Sequence, residues 1–313
     1  MKILVTGGHG FIGSHLVDKL LELEHEVQDV DCLTYAADPD IRSHKSYLHI
    51  NKRIQDVRLR HINGPIDIIL HLAAESHVDN SILGPKEFFD TNVMGTLNML
   101  QLAKELKVSK FIQMSTDECL GDLGPNDPPF TVTSSIRPRG PYAASKASAE
   151  HLVNSFYLIY GLPTSIVRSC NAYGQRQNPE KFIPRAITKI LSGQKVPLFG
   201  TGLNVRQWLY VKDLVRGLCV VMDLAKPGET YHLGPGQEKT NKEVVDMIIS
   251  LLGKGEIEYV EDRKAHDRRY SLAPNIDCIK GITNFENGLE KTVKWYCQNT
   301  AWWHRAIDRG GIW

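Results

Sequence analysis

The apolar run Lys2-Ile-Leu-Val-Thr6 passes directly into Gly7-Gly-His-Gly10-Phe-Ile-Gly13, and this junction constrains the fold more than any other stretch. From Ile12 to Leu23 the spacing is helical, with Ile12, Leu16, Leu20 and Leu23 on or near one face. Glycines at 7, 10 and 13 therefore fall in a strand-turn-helix crossing. The first allows a tight turn, the second lets a pyrophosphate approach the backbone, and the third lets helix pack on strand. The N–H groups at the helix start then face the phosphates. Glu26-Val-Gln-Asp-Val30 supplies the next strand and ends in Asp31, 18 residues after Gly13. A carboxylate there accepts hydrogen bonds from an adenosine ribose diol and repels a 2′-phosphate, which favours NAD over NADP.

Further strands follow the same plan. Ile66-Asp-Ile-Ile-Leu-His-Leu72 is apolar almost throughout, as a strand buried on both faces would be. It opens onto Ala73-Ala74-Glu75-Ser76-His77-Val-Asp79, whose two alanines leave a flat approach for a nicotinamide ring. The expected cofactor contacts are Gly7, Gly10, Phe11, Ile12, Gly13, Asp31, Leu72, Ala73 and Ala74, together with Tyr142 and Lys146 farther along. His77 reads either as a substrate contact or as a hydrogen-bonded loop histidine, with Ser76 beside it. Pro85 begins a long helix to Leu106, interrupted only by Gly95, on which Asn92 points towards the cofactor or lies on the helix surface.

Phe111-Ile-Gln-Met114 is another buried strand, and Ser115-Thr116-Asp117-Glu118-Cys119 follows it. Open α/β sheets keep their chemistry at such a strand end, although these residues also suit a polar capping turn. Farther on, Tyr142 and Lys146 stand four apart at the start of a helix reaching Tyr160, hence on one face. An ammonium beside a phenol lowers its pKa and makes it a general base for a hydroxyl proton, with Thr116 holding the same oxygen. Two adjacent carboxylates repel, so one can keep its proton while the other ionises.

Together Gly7-xx-Gly10-xx-Gly13, His71-Leu-Ala-Ala-Glu-Ser-His-Val-Asp79, Ser115-Thr-Asp-Glu118 and Tyr142-xxx-Lys146 resemble the extended, nucleotide-sugar-modifying branch of the short-chain dehydrogenase/reductase superfamily. Within it the resemblance is to dTDP-glucose 4,6-dehydratases and related NDP-sugar dehydratases. It continues through Pro179-Glu-Lys-Phe-Ile-Pro184, Arg206-Gln-Trp-Leu-Tyr-Val211, His266-Asp-Arg-Arg-Tyr270 and Trp295-Tyr296. The resemblance implies that Tyr142 takes the sugar's 4-hydroxyl proton as hydride passes to NAD. Glu118 then removes the C5 proton and Asp117 protonates the departing 6-hydroxyl. It also implies that Asn171, Lys181, Arg206, Asn241 and Arg268 face the substrate's nucleotide, and that the helices 85–106 and 143–160 pair across a homodimer axis.

The chain departs from that family in the loop after Met114, where Cys119-Leu120 replaces a valine-tyrosine pair. Cys119 is either a small apolar filler or a site residue next to the base. Arg139-Gly140 replaces two serines, Val132 replaces a glutamate, and Arg53-Ile-Gln-Asp56 stands where relatives have an adenine-contacting aspartate.

The expected architecture is α/β: a Rossmann-type doubly wound parallel sheet with a smaller C-terminal α/β substrate-binding lobe. Residues 1–168 would bind NAD and 169–313 the nucleotide sugar, with segments near 205–232 returning to the first lobe. The 37 basic and 36 acidic side chains nearly balance, which argues against nucleic acid or an anionic membrane as partner. No 18-residue apolar stretch occurs, and six cysteines (Cys32, Cys119, Cys170, Cys219, Cys278, Cys297) lack metal-binding spacing. A cytoplasmic enzyme with free thiols and no metal is expected. A 5,6-dehydratase that returns the hydride to C4, a 4-epimerase and a silent binding protein are the competing readings. The C-terminal Trp295, Trp302, Trp303 and Trp313 are expected to pack rather than to stack on ligand.

Overall fold

A computed structural model describes residues 1–313 apart from 41, 236, 263–266, 277–280 and 311–313. His266, Cys278 and Trp313 therefore lie outside the described residues. Seven parallel strands form the central sheet: β1 (Lys2–Thr6), β2 (Glu26–Asp31), β3 (Tyr47–Asn51), β4 (Ile68–His71), β5 (Lys110–Thr116), β6 (Thr164–Ser169) and β10 (Thr230–Leu233). Their order is β10-β6-β5-β4-β1-β2-β3, so the winding reverses between β1 and β4. Ligands of open α/β sheets bind outside the strand ends at such a reversal.

Strand alternation sends Ile3 and Val5 into one core and Leu4 into the other. Helix α1 (Phe11–Glu22) covers the first face with Leu16, Val17 and Leu20, all fully buried, each burial worth about 1.5–3 kcal/mol. The stretch read as one helix is divided into α3 (Pro85–Phe89), a π turn (Asp90–Gly95) and α4 (Thr96–Leu106), preceded by α2 (Val78–Leu83). The π turn brings Gly95 against Ile54, where a Cβ would collide with the isoleucine side chain. Helix α5 (Pro141–Tyr160) starts with proline in its first turn and stops at Gly161, at φ 65°.

Beyond β6 the chain changes partners. Strands β7 (Asn171–Tyr173), β9 (Val205–Tyr210) and β11 (Glu238–Thr240) form a separate three-stranded sheet. Strands β8 (Val196–Phe199) and β12 (Ile257–Val260) pair with each other. Helices α6 (Phe182–Leu191), α8 (Asn241–Leu252) and α9 (Phe285–Gln298) share a second core with these strands. Within 205–232, β9 stays with this second group, whereas α7 (Val211–Leu224) packs on α1 and β10 completes the large sheet. Trp303 of α10 (Thr300–Gly310) is buried, and Trp295 and Trp302 meet edge to face at 5.1 Å. The described tryptophans thus pack as expected. No helix among the described residues is long and apolar enough to cross a membrane.

Candidate active site

At the reversal between β1 and β4 lies a cleft of about 250 Å³. Its walls include Gly7, Gly10, Phe11, Ile12, Gly13, Asp31, Leu72, Ala73, Ala74, Tyr142 and Lys146, all the residues expected to touch the cofactor. The glycines act as a cradle. A Cβ on Gly13 would collide with the Gly7 carbonyl, and one on Gly7, at φ 76°, would come within 2.9 Å of Ala73. Asp31 is held at the end of β2 by the backbone N–H groups of His9 (2.9 Å) and Leu33 (2.8 Å). Lys52 to Gln55 also line this cleft, whereas Asp56 does not.

Beneath this loop is a network that the sequence did not disclose. Asp29 is fully buried and accepts from Gly8 N at 2.8 Å and from the Tyr47 hydroxyl at 2.9 Å. His9 places Nδ1 2.6 Å from the Asp38 carbonyl and Nε2 2.9 Å from Tyr47 Oη. Burial, then the nearby Asp31 charge, pushes Asp29 up to about 6. His9, Asp29 and His49 also bring one ligating atom each within 4.8 Å of one another, a grouping invisible in the linear spacing.

Strand β5 extends through Ser115 and Thr116, so the loop after it begins at Asp117 as a 3₁₀ turn, Asp117–Leu120. Thr116 Oγ1 accepts from Glu118 N at 3.3 Å, donates to Asp117 Oδ1 at 3.1 Å and hydrogen-bonds Tyr142. Burial pushes Asp117 up to about 6; burial and then the Asp117 charge push Glu118 up to about 7. Asp117 Oδ2 is buried without a partner among the described residues, which suits a carboxyl that keeps its proton.

Lys146 donates to the Met114 carbonyl at 2.6 Å, and burial lowers it to about 8. The expectation that Lys146 draws the phenol towards neutrality needs correcting. Burial, then the charges of Glu118, Cys119 and Asp117, drives Tyr142 upward instead.

Cys119 is fully buried, its Sγ 3.6 Å from Ser115 Oγ and 3.7 Å from the Ala143 carbonyl. Burial pushes this thiol up to about 12. Thr116, Asp117 and Cys119 all lie just behind the residues that line the two clefts, but where Thr116 and Asp117 hydrogen-bond each other and Thr116 reaches Tyr142, the Cys119 thiol faces Ser115 and the Ala143 carbonyl, as a small filler would. Nearby, Ser115 donates to Glu150 at 2.5 Å, and Glu150 takes a two-point contact from Arg168 at 2.7 and 3.0 Å. Glu150 is 0% and Arg168 4% exposed. This buried pair bolts α5, which carries Tyr142 and Lys146, to β5 and β6. Its members looked like ordinary helix and strand positions in the sequence.

A second cleft, of about 430 Å³, opens from Glu118 and Tyr142 away from the first. His77, Asn171, Lys181, Arg206 and Asn241 line it, as expected of substrate contacts. Three others do not. Ser76 lines the first cleft, its carbonyl accepting from Lys181 Nζ at 2.7 Å. Asn92 is buried, donating to the Glu75 carbonyl (3.0 Å) and Ser145 Oγ (2.9 Å), so it braces the loop. Arg268 is drawn out to Asp122, with Nε at 3.1 Å. Arg139, Arg185, Trp208, Asp267 and Tyr270 also line the cleft; Trp208, Asp267 and Tyr270 fall inside motifs quoted for the resemblance and Arg139 was noted as a departure from it, but none had been given a role. Arg139 Nη1 pairs with Asp122 (2.9 Å) and Asp267 (3.0 Å).

Comparison with known proteins places this geometry in context. The profile of the NAD dependent epimerase/dehydratase family matches residues 3–234. A dTDP-glucose 4,6-dehydratase of Streptomyces griseus is 41% identical, over 99% of this chain and 98% of its own length. The crystal structure of DesIV, a dTDP-glucose 4,6-dehydratase from Streptomyces venezuelae with NAD bound, superposes with a TM-score of 0.93 at 39% identity, covering 98% of this chain and all of the other. TunA, an NAD-dependent NDP-hexosamine 5,6-dehydratase, has a TM-score of 0.88 at 26% identity, covering 96% of this chain and 98% of its own.

Proposed function

The chain belongs to the NAD-dependent epimerase/dehydratase family, and we propose that within it the protein is a nucleotide-sugar 4,6-dehydratase. The observation that carries this reading is the pair of raised carboxyls, Asp117 and Glu118, at the end of β5 beside Tyr142. Epimerisation at C4 needs no acid and base for elimination. Dehydration needs both.

The glycine cradle, Asp31 and Ala73-Ala74 would hold NAD, which when bound would supply the acceptor for hydride from the sugar's C4 and the donor for its return to C6. Tyr142 takes the proton of the 4-hydroxyl, with Thr116 sharing the same oxygen and Lys146 fixing local charge. The resulting 4-ketone acidifies C5. Glu118, on the wall of the second cleft, removes the C5 proton as carboxylate, and Asp117 delivers a proton to the 6-hydroxyl as it leaves as water. Hydride added at C6 pushes the alkene's electron pair to C5, and the protonated Glu118 carboxyl, exchanged with solvent, returns a proton there. Lys181, Arg206, Asn171 and Asn241 hold the diphosphate-linked portion; guanidinium and ammonium donors suit that charge.

The working unit is a homodimer. In support, α2, α3 and α5 pack together and leave Leu83 (86%), Leu158 (75%) and Ile159 (74%) exposed, with Ile82 and Met94 also outward. The division at residues 168/169 is functional: the large sheet carries the cofactor and the second core carries most nucleotide contacts.

To test the reading, NAD-loaded protein is incubated with dTDP- and UDP-hexoses in deuterated water and the products are followed by mass spectrometry and NMR. A 4-keto-6-deoxy sugar with deuterium at C5 is expected. An exocyclic 5,6-alkene retaining its 4-hydroxyl transfers the assignment to the 5,6 type, the activity in TunA's name. No loss of water from any sugar removes both.

A further inference from the structure

We propose that Arg185, with the indole N–H of Trp208, reads the carbonyl edge of the substrate's base and restricts the second cleft to uracil and thymine nucleotides. This deepens the nucleotide-sugar reading above and rests on it.

Arg185 follows Lys181 by four residues at the start of α6, so both side chains share the helix face that lines the cleft. Their surroundings differ. Lys181 reaches back to the Ser76 carbonyl beside the cofactor cleft. The cleft that Arg185 lines also carries the apolar side chains of Phe182, Leu198, Phe199 and Trp208. Arg206, by contrast, spends its guanidinium on the carbonyls of Val205 and Asp267, at 2.8 and 2.9 Å.

Arg185 Nε is buried without a partner, and its guanidinium makes no ion pair among the described residues. Trp208, only 5% exposed, likewise has Nε1 buried and unpartnered. A folded chain seldom leaves two buried donors idle on one wall unless something else supplies the acceptors. Both groups only donate, so the missing ligand atoms are acceptors.

The apolar walls favour a flat ring over a diphosphate at this end. Phe182 and Trp208 already lie nearly parallel, at 6.0 Å and 21°. A pyrimidine whose faces meet such walls must satisfy its edge with donors. Uracil and thymine present ring carbonyls there. Cytosine and adenine carry an amino group in place of the 4-carbonyl, and guanine carries one in place of the 2-carbonyl; each would set donor against donor, the kind of mismatch that separates bases in nucleic-acid recognition.

The test is calorimetric binding of UDP, dTDP, CDP, ADP and GDP to NAD-loaded wild type and to R185M, R185K and W208F. Wild type is expected to bind UDP and dTDP at least about tenfold more tightly than the other three. R185M should lose about ten- to hundredfold for UDP and dTDP and little for CDP and ADP, while R185K restores only part. Because Arg185 Nε meets no acceptor among the described residues, R185M should melt like wild type; in turnover its KM rises with kcat largely kept. Equal weakening of all nucleotides by R185M would make Arg185 a phosphate ligand and overturn the inference. So would GDP binding as well as UDP, or a wild type indifferent to base. If no nucleoside diphosphate binds wild type, the nucleotide-sugar reading falls as well; if all bind and only base preference fails, that reading stands.

Discussion

If Asp117 and Glu118 divide acid and base between them, the elimination step has a narrow and calculable pH dependence. The pair is productive with one proton aboard, on Asp117. With apparent values of about 6 and about 7, the singly protonated pair dominates only between them, so water loss should rise through about pH 6, peak near pH 6.5 and fall through about pH 7. Asp117→Asn removes both the acid and the charge that raises Glu118. The variant should lose about 10²–10⁴ in rate. It should also replace the bell with a single rising limb whose midpoint lies below that of Glu118 in the wild type. Single-turnover water loss, quenched and weighed by mass spectrometry across pH, reads both effects. A flat wild-type profile, or a descending limb that survives Asp117→Asn, would refute the reasoning.

Glu150→Gln strands the buried Arg168 and should lower unfolding free energy by about 3–5 kcal/mol in denaturant melts, whereas Glu150→Gln with Arg168→Met should regain most of it. A single variant as stable as wild type would show that the pair is not holding α5 to the sheet. For the dimer, Leu158→Glu with Ile159→Glu should give monomers in sedimentation, because two charges cannot be buried unpaired across an apolar face; a variant that still sediments as a dimer would place the interface elsewhere.

What could be read from the chain beforehand was local or carried by whole motifs. The glycine turn, Asp31 and the Tyr142/Lys146 spacing are short-range signals, and the structure lines one cleft with them. The division of Pro85–Leu106 by a π turn was hidden because its cause, Ile54 lying against Gly95, is distant in sequence. Arg268 carries the same charge as Arg206 but is diverted by Asp122, and Asn92 is claimed by Glu75 and Ser145. Nothing in the linear pattern announces such partners. Glu150, Arg168 and Arg185 were passed over for a related reason: a charged residue in a helix or strand looks like solvent-facing surface until its burial is known. Tyr142 shows the limit for electrostatics, since the i, i+4 lysine was legible but the burial and carboxylates that outweigh it were not.

The central claim, that Tyr142 serves oxidation and Glu118 elimination, is tested most directly by Glu118→Gln mixed with the hexose nucleotide that wild type dehydrates. The expected result is one equivalent of reduced cofactor per subunit, seen by its near-ultraviolet absorbance, with a sugar two hydrogens lighter and no water lost. Water loss at the wild-type rate in that variant would contradict the account.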